Sequence, residues 1–196
     1  MLNISAVVMA SGMSKRMKRC KLHMKINNKN IYEYILETIR ECNFYEVIVV
    51  AKDEDILKKA KSLGYLGVKN NRYFVGQSES VKIALRNLNT AAGYMFFVAD
   101  QPFIKEKTIN RLCLTFLKKP TSIIVPYYNG RKGSPVIFPH SFKDQLLALE
   151  KDQGGTVIIN KNKSRVLPVP IQTEYENLDI DTIEDYERAK SIFTNK

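Results

Sequence analysis

The sequence predicts an α/β protein in which helices cover both faces of a mostly parallel sheet. The hydrophobic period switches repeatedly along the chain between the alternation of a strand and the spacing of a helix. Residues 4–10 and 94–99 are short apolar runs, which are typical of strands buried on both faces. Helical segments of about ten residues separate such runs, and this order implies β-α-β crossovers. We therefore expect a three-layer α/β/α arrangement around a Rossmann-like sheet.

Each predicted element follows from the local pattern. Residues 31–42 carry apolar side chains at helical spacing, and residues 46–51 return to a strand pattern. Asp53 and Ser78 are expected to cap the helices that they precede, because an N-cap oxygen accepts a hydrogen bond from a free backbone N–H. We expect strands at 4–10, 46–51, 94–99, 122–126, 136–138 and 166–169, and helices at 31–42, 53–63, 78–88, 108–117, 140–149, 154–160 and 182–192.

Length and composition favour a single domain over residues 1–196. The hydrophobic fraction of 44% is sufficient for a well-buried core in a chain of this length. No internal repeat, low-complexity segment or linker divides the sequence. The alternation of strands and helices loosens between about residues 127 and 172. This stretch is either irregular packing or an inserted subregion that shapes a substrate site.

Composition disfavours several classes of protein. No stretch approaches the ~18 to 20 continuous apolar residues of a membrane span, and the first residues lack the basic lead-in of a signal peptide. Cys20, Cys42 and Cys113 are spaced unlike a disulfide framework or a zinc motif, which favours a cytoplasmic protein. The net charge of +11 indicates anionic partners. Because the 31 basic residues are spread along the chain, they favour general basicity or phosphorylated small molecules over nucleic acid.

A loop of small and cationic residues follows the first predicted strand. In open α/β sheets, ligands bind beyond the carboxyl ends of the strands, so the loops after residues 10, 51, 70 and 99 should share one edge. Gly12 permits a turn whose N–H groups hold phosphate oxygens. Arg16 offers a planar fork and Lys21 a mobile charge. The loop lacks the spacing of a Walker A motif or a dinucleotide fingerprint. We favour phosphate binding over a solvated basic turn.

Two acidic motifs are candidates for metal binding. Asp100 ends a buried predicted strand on the same edge of the sheet, where a carboxylate can hold Mg²⁺ against a triphosphate; the alternative is a cap of the next turn. In an extended segment, Asp179 and Asp181 would point to one side. Asp181 is therefore a candidate second metal ligand. The competing interpretation is that Asp181 or Thr182 caps the last helix, with Glu184 or Asp185 completing a capping box.

Weaker signals lie elsewhere. Residues 76–80 begin a helix at which an anion or a base edge can bind, and residues 133–135 and 152–155 are loops of small residues that a ligand can approach. His23 and His140 have no partners at metal-ligand or catalytic-triad spacing, so we expect both to be structural or surface residues. Cys20 is either a reactive thiol with a lowered pKa or a plain neighbour of the basic loop, and the second is favoured.

Together these motifs resemble the MobA-like nucleotidyltransferases, and more closely their molybdenum cofactor cytidylyltransferase branch. The family's opening loop, A-A-G-x-S-x-R-M-G-x-x-K, is matched by residues 10–21. Its later motifs follow in the same order over nearly the whole chain. They are G-x-x-x-S at 76–80, D-Q-P at 100–102, G-x-P at 133–135 and D-x-D-T-x-E-D-Y at 179–186.

The resemblance implies a fold of the nucleotide-diphospho-sugar transferase type and a specific reaction. The phosphate of molybdopterin would attack the α-phosphorus of CTP, so that CMP is transferred to it and pyrophosphate is released. Residues 127–172 would lie on the acceptor side. Lys21, Arg16 and Asp100 would be catalytic, and Asp100 and Asp181 would hold Mg²⁺. A recipient molybdenum enzyme is a further candidate partner, and no membrane is implied. The nucleotide would contact Ala10, Ser11, Gly12, Ser14, Arg16, Lys21 and Ser80.

Two departures from the family pattern leave alternatives open. Lys18 stands where the family loop has glycine, and Thr156 stands where a later motif, G-D-x-G-A-R, has arginine. The alternatives are a guanylyltransferase, a transferase that uses another phosphorylated acceptor, and a non-catalytic protein that binds and delivers nucleotide or cofactor. A nucleic-acid binder is the remaining alternative, and it rests on the net charge alone.

Overall fold

The computed structural model describes residues 2–14, 17 and 20–194. Within this part of the chain, an eight-stranded sheet is flanked by helices on both faces, and a two-stranded ribbon lies apart from it. The strands are β1 (Leu2–Ala10), β2 (Lys25–Ile26), β3 (Lys29–Asn30), β4 (Phe44–Ala51), β5 (Leu66–Lys69), β6 (Gly93–Val98), β7 (Ile123–Tyr128), β8 (Arg131–Lys132), β9 (Val136–Pro139) and β10 (Val166–Ile171). The α-helices are α1 (Ile31–Arg40), α2 (Glu54–Ser62), α3 (Gln77–Asn87), α4 (Glu106–Lys118), α5 (Lys143–Leu147), α6 (Gly155–Lys161) and α7 (Ile183–Thr194).

The sheet has β1 near its centre and the order β10-β7-β9-β6-β1-β4-β5, with β8 paired to β7. β1 runs parallel to β4 on one side and to β6 on the other, so that Ala10 lies beside Ala51. β9 lies antiparallel to both β6 and β7. The carboxyl ends of β1, β4, β5 and β6 consequently meet at one edge, as the sequence predicts.

Alternation along β1 divides the core into two halves. Ile4, Ala6 and Val8 pack on one face of the sheet against α1, α2, α4 and α7, whereas Val7 packs on the other face against α3, α5 and α6. A strand that is apolar at both parities must have helices on both faces, because either face would otherwise expose apolar surface to water. The three-layer α/β/α prediction is confirmed.

The predicted strands and helices are present, with end shifts of a few residues, but the sequence interpretation gave no bounds for four short strands. β5 is a mostly exposed edge strand, so it lacks the apolar run by which buried strands are recognised. The β2–β3 ribbon turns at Asn27 and Asn28, both with positive φ, which is a hairpin signal of the asparagine pair. β8 has two residues. The segment predicted as a helix at 140–149 is a 3₁₀ turn followed by the short α5.

Helix starts differ from the expectations in two places. Gly76, rather than Ser78, occupies the N-cap of α3, and Ser78 lies in the first turn, where its hydroxyl donates to the carbonyl of Lys151. Asp53 occupies the N-cap of α2, but its side chain makes no capping bond. Among the described residues, no helix combines the length and the apolar character that crossing a membrane requires.

The capping box predicted at the start of α7 is present. The Asp185 amide donates to the Thr182 hydroxyl over 3.1 Å, and the Thr182 amide donates to the Asp185 carboxylate over 2.9 Å. The Asp181 amide donates to the same carboxylate over 3.1 Å. Because Thr182 supplies the cap, the Asp181 carboxylate is not used for it.

We predict that Thr182→Ala lowers the free energy of unfolding by about 1 kcal/mol, because the N-terminal amides of α7 lose their side-chain acceptor. Urea unfolding followed by circular dichroism measures this difference. Thr194→Ala, at the other end of the same helix, is the matched control and should change the free energy of unfolding by less than ~0.5 kcal/mol. Equal effects of the two substitutions would contradict the capping role.

Candidate active site

A pocket of about 510 Å³ opens at the edge of the sheet where β1 and β6 end. Its walls come from the loop after β1, the start of α3, the segment after β6, and the segment before α7. Ala10 lies behind this wall as the buried last residue of β1. Arg16, with Lys18, lies outside the described residues. The predicted site residues that line the pocket are Ser11, Gly12, Ser14, Lys21, Ser80, Asp100 and Asp181.

Local hydrogen bonds shape the loop after β1. The buried Ser11 hydroxyl donates to the carbonyl of Val50 and fixes the loop to β4. Ser14 adopts a positive φ of 50°, which is uncommon for a residue with a side chain, and its hydroxyl accepts a bond from the Lys21 amide over 3.2 Å. Among the described residues, no atom beyond the chain neighbours of Gly12 lies within 4 Å of a Cβ atom added there. The space over Gly12 is therefore open to a ligand.

The ammonium group of Lys21 connects two carboxylates that are far apart in sequence. Its Nζ donates to Oδ2 of Asp100 and, over 2.7 Å, to Oδ1 of Asp181. The side chain of Lys21 is only 9% exposed. The segments that carry the two acids are joined directly, since the Ile180 amide donates to the Asp100 carbonyl over 3.1 Å. The structure therefore brings Lys21, Asp100 and Asp181 together at one point.

Alternation around Ile180 separates the two neighbouring acids. Ile180 is fully buried in the core, so Asp179 and Asp181 both face the edge of the sheet. Asp181 lines the pocket described above, whereas Asp179 lines a second pocket and accepts a 2.7 Å bond from the side-chain amide of Gln101. One buried isoleucine thus directs one carboxylate toward each pocket.

The pKa values at this point reflect a cluster of acids around one cation. Burial alone would lower the pKa of Lys21, but Asp100 and Asp181 more than offset it and the pKa is raised. Although Asp179 is partly exposed, desolvation of its carboxyl group raises its pKa to about 6, and repulsion from Asp100 adds to the effect. Lys21 is consequently a fixed positive charge at neutral pH.

The acidic residues fit a divalent cation. Oδ1 of Asp100 is buried and has no hydrogen-bond partner among the described residues, which is costly for a carboxylate unless a ligand supplies one. Asp181 lies on the other side of the same ammonium group. Carboxylate oxygens are the ligands that Mg²⁺ and Mn²⁺ prefer. The same two carboxylates already bind the positive charge of the Lys21 ammonium group.

Asn70, which the sequence interpretation did not select as a site residue, supports the side of the pocket formed by the start of α3. Asn70 follows β5 and is buried; its side-chain amide donates to the Ser80 hydroxyl over 3.1 Å, and its side-chain oxygen accepts from the Arg72 amide. Asn70 thereby orients Ser80, which lines the pocket. Its position at the end of a strand on the ligand-binding edge is a signal that could have identified it.

The second pocket, of about 410 Å³, adjoins the first and shares Met9, Gln77 and Val98 with it. Much of its lining is apolar and comes from β1, β6, β7, β9, α3, α5 and α6. Polar groups are contributed by Gln101, Lys132, Ser134, Thr156, Asn177 and Asp179. The stretch at 127–172 that breaks the sequence pattern therefore supplies much of this pocket.

A comparison with known families decides the classification, because the model of the MobA-like NTP transferase domain matches residues 6–166. The chain belongs to the MobA-like NTP transferase family. Two curated relatives are each called a probable molybdenum cofactor guanylyltransferase. The one from Natranaerobius thermophilus is 26% identical over 129 residues, covering 65% of this chain and 62% of that protein. The one from Thermococcus gammatolerans is 26% identical over 169 residues and 85% of each chain.

Solved structures show the same fold. The homologue of Rv0371c from Mycobacterium sp. strain JC1 superposes with a TM-score of 0.85 at 23% identity, over 98% of each chain. Rv0371c from Mycobacterium tuberculosis, solved in complex with manganese, superposes with a TM-score of 0.78 at 22% identity, over 96% of this chain and 98% of that one. These likenesses confirm the fold of this MobA-like protein.

The structure also shows the contacts of the cysteine and the two histidines considered in the sequence. The Cys20 pKa is raised by burial and by the negative charge of Asp53, so the alternative of a lowered pKa is wrong. His140 bonds to the hydroxyl of Tyr94 over 2.9 Å, which is consistent with a structural role. His23 does have partners, contrary to expectation. Its ring lies beside the side chains of Cys20 and Asp53.

Close packing of Gly76 fixes the start of α3, which forms a wall shared by the two pockets because Gln77 lines both. Gly76 has a φ of 126°, and a Cβ there would overlap the Lys151 carbonyl and lie 2.7 Å from the Asp152 amide nitrogen. We predict that Gly76→Ala lowers the free energy of unfolding by roughly 3 kcal/mol or more, from backbone strain and overlap together. The matched control is Gly64→Ala, with φ of 81° and open space, which should cost about 1 kcal/mol. Chemical denaturation measures both values, and equal losses would contradict the packing role.

Proposed function

We propose that this MobA-like protein is a divalent-metal-dependent nucleotidyltransferase that joins a nucleoside monophosphate to the phosphate of a molybdopterin-type acceptor. The observation that carries the proposal is the placement of Lys21 between Asp100 and Asp181, beside an open loop at the edge of the sheet. A lysine and two carboxylates at this place suit a reaction in which charge on phosphate oxygens must be neutralised. The names of the curated relatives support the choice of acceptor.

The relatives favour guanine over cytosine as the base. Both are called guanylyltransferases, whereas the sequence motifs led us to expect CTP. We therefore propose GTP as the donor nucleotide and keep CTP as the second candidate. The shared-fold structures do not decide between them, because their identities of 22–23% support the fold alone.

In the proposed mechanism, positioning and charge neutralisation do most of the work. The acceptor phosphate oxygen attacks the α-phosphorus of the nucleotide, a new P–O bond forms, and the bond to the leaving pyrophosphate breaks. Gly12, Ser14 and Arg16 would hold the triphosphate. Lys21 would stabilise the negative charge that builds on the pyrophosphate as it leaves. Bound divalent cation would supply further positive charge to the phosphates.

The metal would be held by Asp100 and Asp181. The unpartnered Oδ1 of Asp100 supports this assignment, and the manganese complex of Rv0371c shows that a protein of this fold takes such a cation. We propose Mg²⁺ as the physiological ion, with Mn²⁺ as the alternative. Ser11 and Ser80 would lie beside the nucleoside, since both line the first pocket.

The second pocket is the proposed acceptor site. It adjoins the nucleotide pocket and takes much of its lining from residues 127–172, which we propose as an acceptor-side subregion of a single domain spanning 1–196. Thr156 lies in its wall. A recipient molybdenum enzyme remains a prediction from the family resemblance.

We predict that Asp100→Asn and Lys21→Met each lower kcat for pyrophosphate release from GTP and molybdopterin by roughly 10²–10³, because the first removes a metal ligand and the second removes a positive charge that acts on the phosphates. Removal of divalent cation with EDTA should stop the reaction, and Mg²⁺ should restore it. An enzyme-coupled pyrophosphate assay measures all three effects.

The controls are residues of the same types on the surface. Asp55→Asn and Lys69→Met alter exposed pairs with Lys58 and Glu54, none of which lines the pocket, and should retain the activity of the wild type. If Asp100→Asn and Lys21→Met were as active as these controls, the proposed roles would be wrong. If the wild type were inactive with every nucleotide, the alternative of a non-catalytic protein that binds and delivers nucleotide or cofactor would be favoured.

We predict that GTP binds more tightly than CTP, ATP or UTP in the presence of Mg²⁺, and that Asp100→Asn weakens this binding because the metal loses a ligand. Calorimetry on the purified protein measures the four affinities. Preference for CTP would reassign the protein to the cytidylyl branch with the mechanism unchanged. If random RNA or DNA bound and no nucleotide competed, the transferase proposal would fail in favour of a nucleic-acid binder.

A further inference from the structure

A second group of side chains that can bind a metal lies at the end of the loop after β1, which we call the nucleotide loop. Cys20, His23 and Asp53 place one sulfur, one nitrogen and one oxygen atom within 4.8 Å of one another. Cys20 is the N-cap of a 3₁₀ turn that ends at His23, and the His23 amide donates to the Cys20 carbonyl over 3.1 Å. Asp53 comes from the chain between β4 and α2. The group therefore joins two segments that are separate in sequence.

The distances within the group are close to those of a tetrahedral zinc site. The Asp53 Oδ2 atom lies 3.7 Å from the Cys20 sulfur and 3.7 Å from the His23 Nε2 atom. Zinc bonds of about 2.3 Å to sulfur and about 2.0–2.2 Å to nitrogen or oxygen place neighbouring ligands roughly 3.4–3.6 Å apart. The two separations from Asp53 therefore exceed these values by only a few tenths of an ångström, and the sulfur and the imidazole nitrogen lie within 4.8 Å of each other.

Asp53 does not have the role that its position in the chain suggests. An aspartate at a helix N-cap ordinarily accepts a bond from the first turn, but the Asp53 side chain makes no capping bond. Its carboxylate is directed at the thiol and the imidazole instead. The side chains of His23 and Asp53 are both 31% exposed, so an ion from solvent can reach them.

The arrangement does not suit nucleophilic catalysis. In a cysteine nucleophile site, the histidine contacts the thiol and the acid orients the histidine. Here the carboxylate is the group that both the thiol and the imidazole contact. Mixed sulfur, nitrogen and oxygen ligands are characteristic of zinc, whereas Mg²⁺ takes oxygen ligands.

We propose that Cys20, His23 and Asp53 form a zinc site with a fourth position open to water, distinct from the carboxylate pair at Lys21. Cys20 and Lys21 are adjacent residues, and their side chains contact different acids: Cys20 contacts Asp53, and Lys21 contacts Asp100. The ion would attach the end of the nucleotide loop to the start of α2. It would thereby restrict the backbone that carries Lys21. This site does not depend on the reaction proposed above.

The test uses the full chain without an affinity tag and without nucleotide. Zn²⁺ is titrated in competition with a chromophoric chelator, and Co²⁺ is titrated as a spectroscopic substitute that gives a thiolate charge-transfer band. We expect one Zn²⁺ per chain and a rise in Tm with Zn²⁺. Cys20→Ser, His23→Gln and Asp53→Asn should each weaken binding at least tenfold, roughly the loss seen when even an outer partner of a metal ligand is removed. Cys20→Ser should also abolish the cobalt–thiolate band.

Two variants serve as controls. Cys42→Ser removes another partly buried thiol, and Asp100→Asn alters the carboxylate pair; both should retain stoichiometric Zn²⁺ binding and the cobalt–thiolate band. Circular dichroism verifies that each variant is folded, so that loss of binding is not loss of structure. The proposal is overturned if the wild type binds no stoichiometric Zn²⁺, or if the Cys20 and Cys42 variants bind it equally.

Discussion

The architecture of the site depends on one buried cation between two anions. The Lys21 ammonium group contacts Asp100, which lies 79 residues away in sequence, and Asp181, which lies 160 residues away. Three segments that follow different parts of the sheet are therefore held at one point by charge. Two carboxylates this close would repel one another without a cation between them. The sheet brings these segments to one edge, and the lysine makes their convergence stable.

Sequence patterns predicted most of the fold because the central strands are apolar on both faces. Such strands can only lie between two layers of helices, and the ligand-binding edge follows from parallel pairing. Within the site, Lys21, Asp100 and Asp181 were identified because each lies in a motif next to a predicted strand or helix end. The capping box of Thr182 and Asp185 was also readable, since both partners lie within one helical turn.

Contacts between distant segments were less predictable. Asn70 is a single polar residue after an exposed edge strand, and only the folded chain shows that it supports Ser80. His23 was assigned no partner because Asp53 lies 30 residues further on and had been interpreted as a helix cap. The second pocket combines residues from β1 to the segment before α7, so no local pattern describes it. The preference for one nucleotide base likewise corresponds to no distinctive side-chain motif in the sequence.

The wall that Gly76 permits has a consequence for how the two pockets behave. Ser78 and Gln77, at the start of α3, hydrogen-bond to the turn at Lys151 and Asp152, and Gln77 contributes to both pockets. A molecule in one pocket therefore touches groups that also set the shape of the other. Any coupling free energy that arises through this wall is reciprocal: if one ligand tightens the binding of the second, the second tightens the first by the same factor. A substitution that alters the shared start of α3 would therefore change the two mutual effects by the same factor.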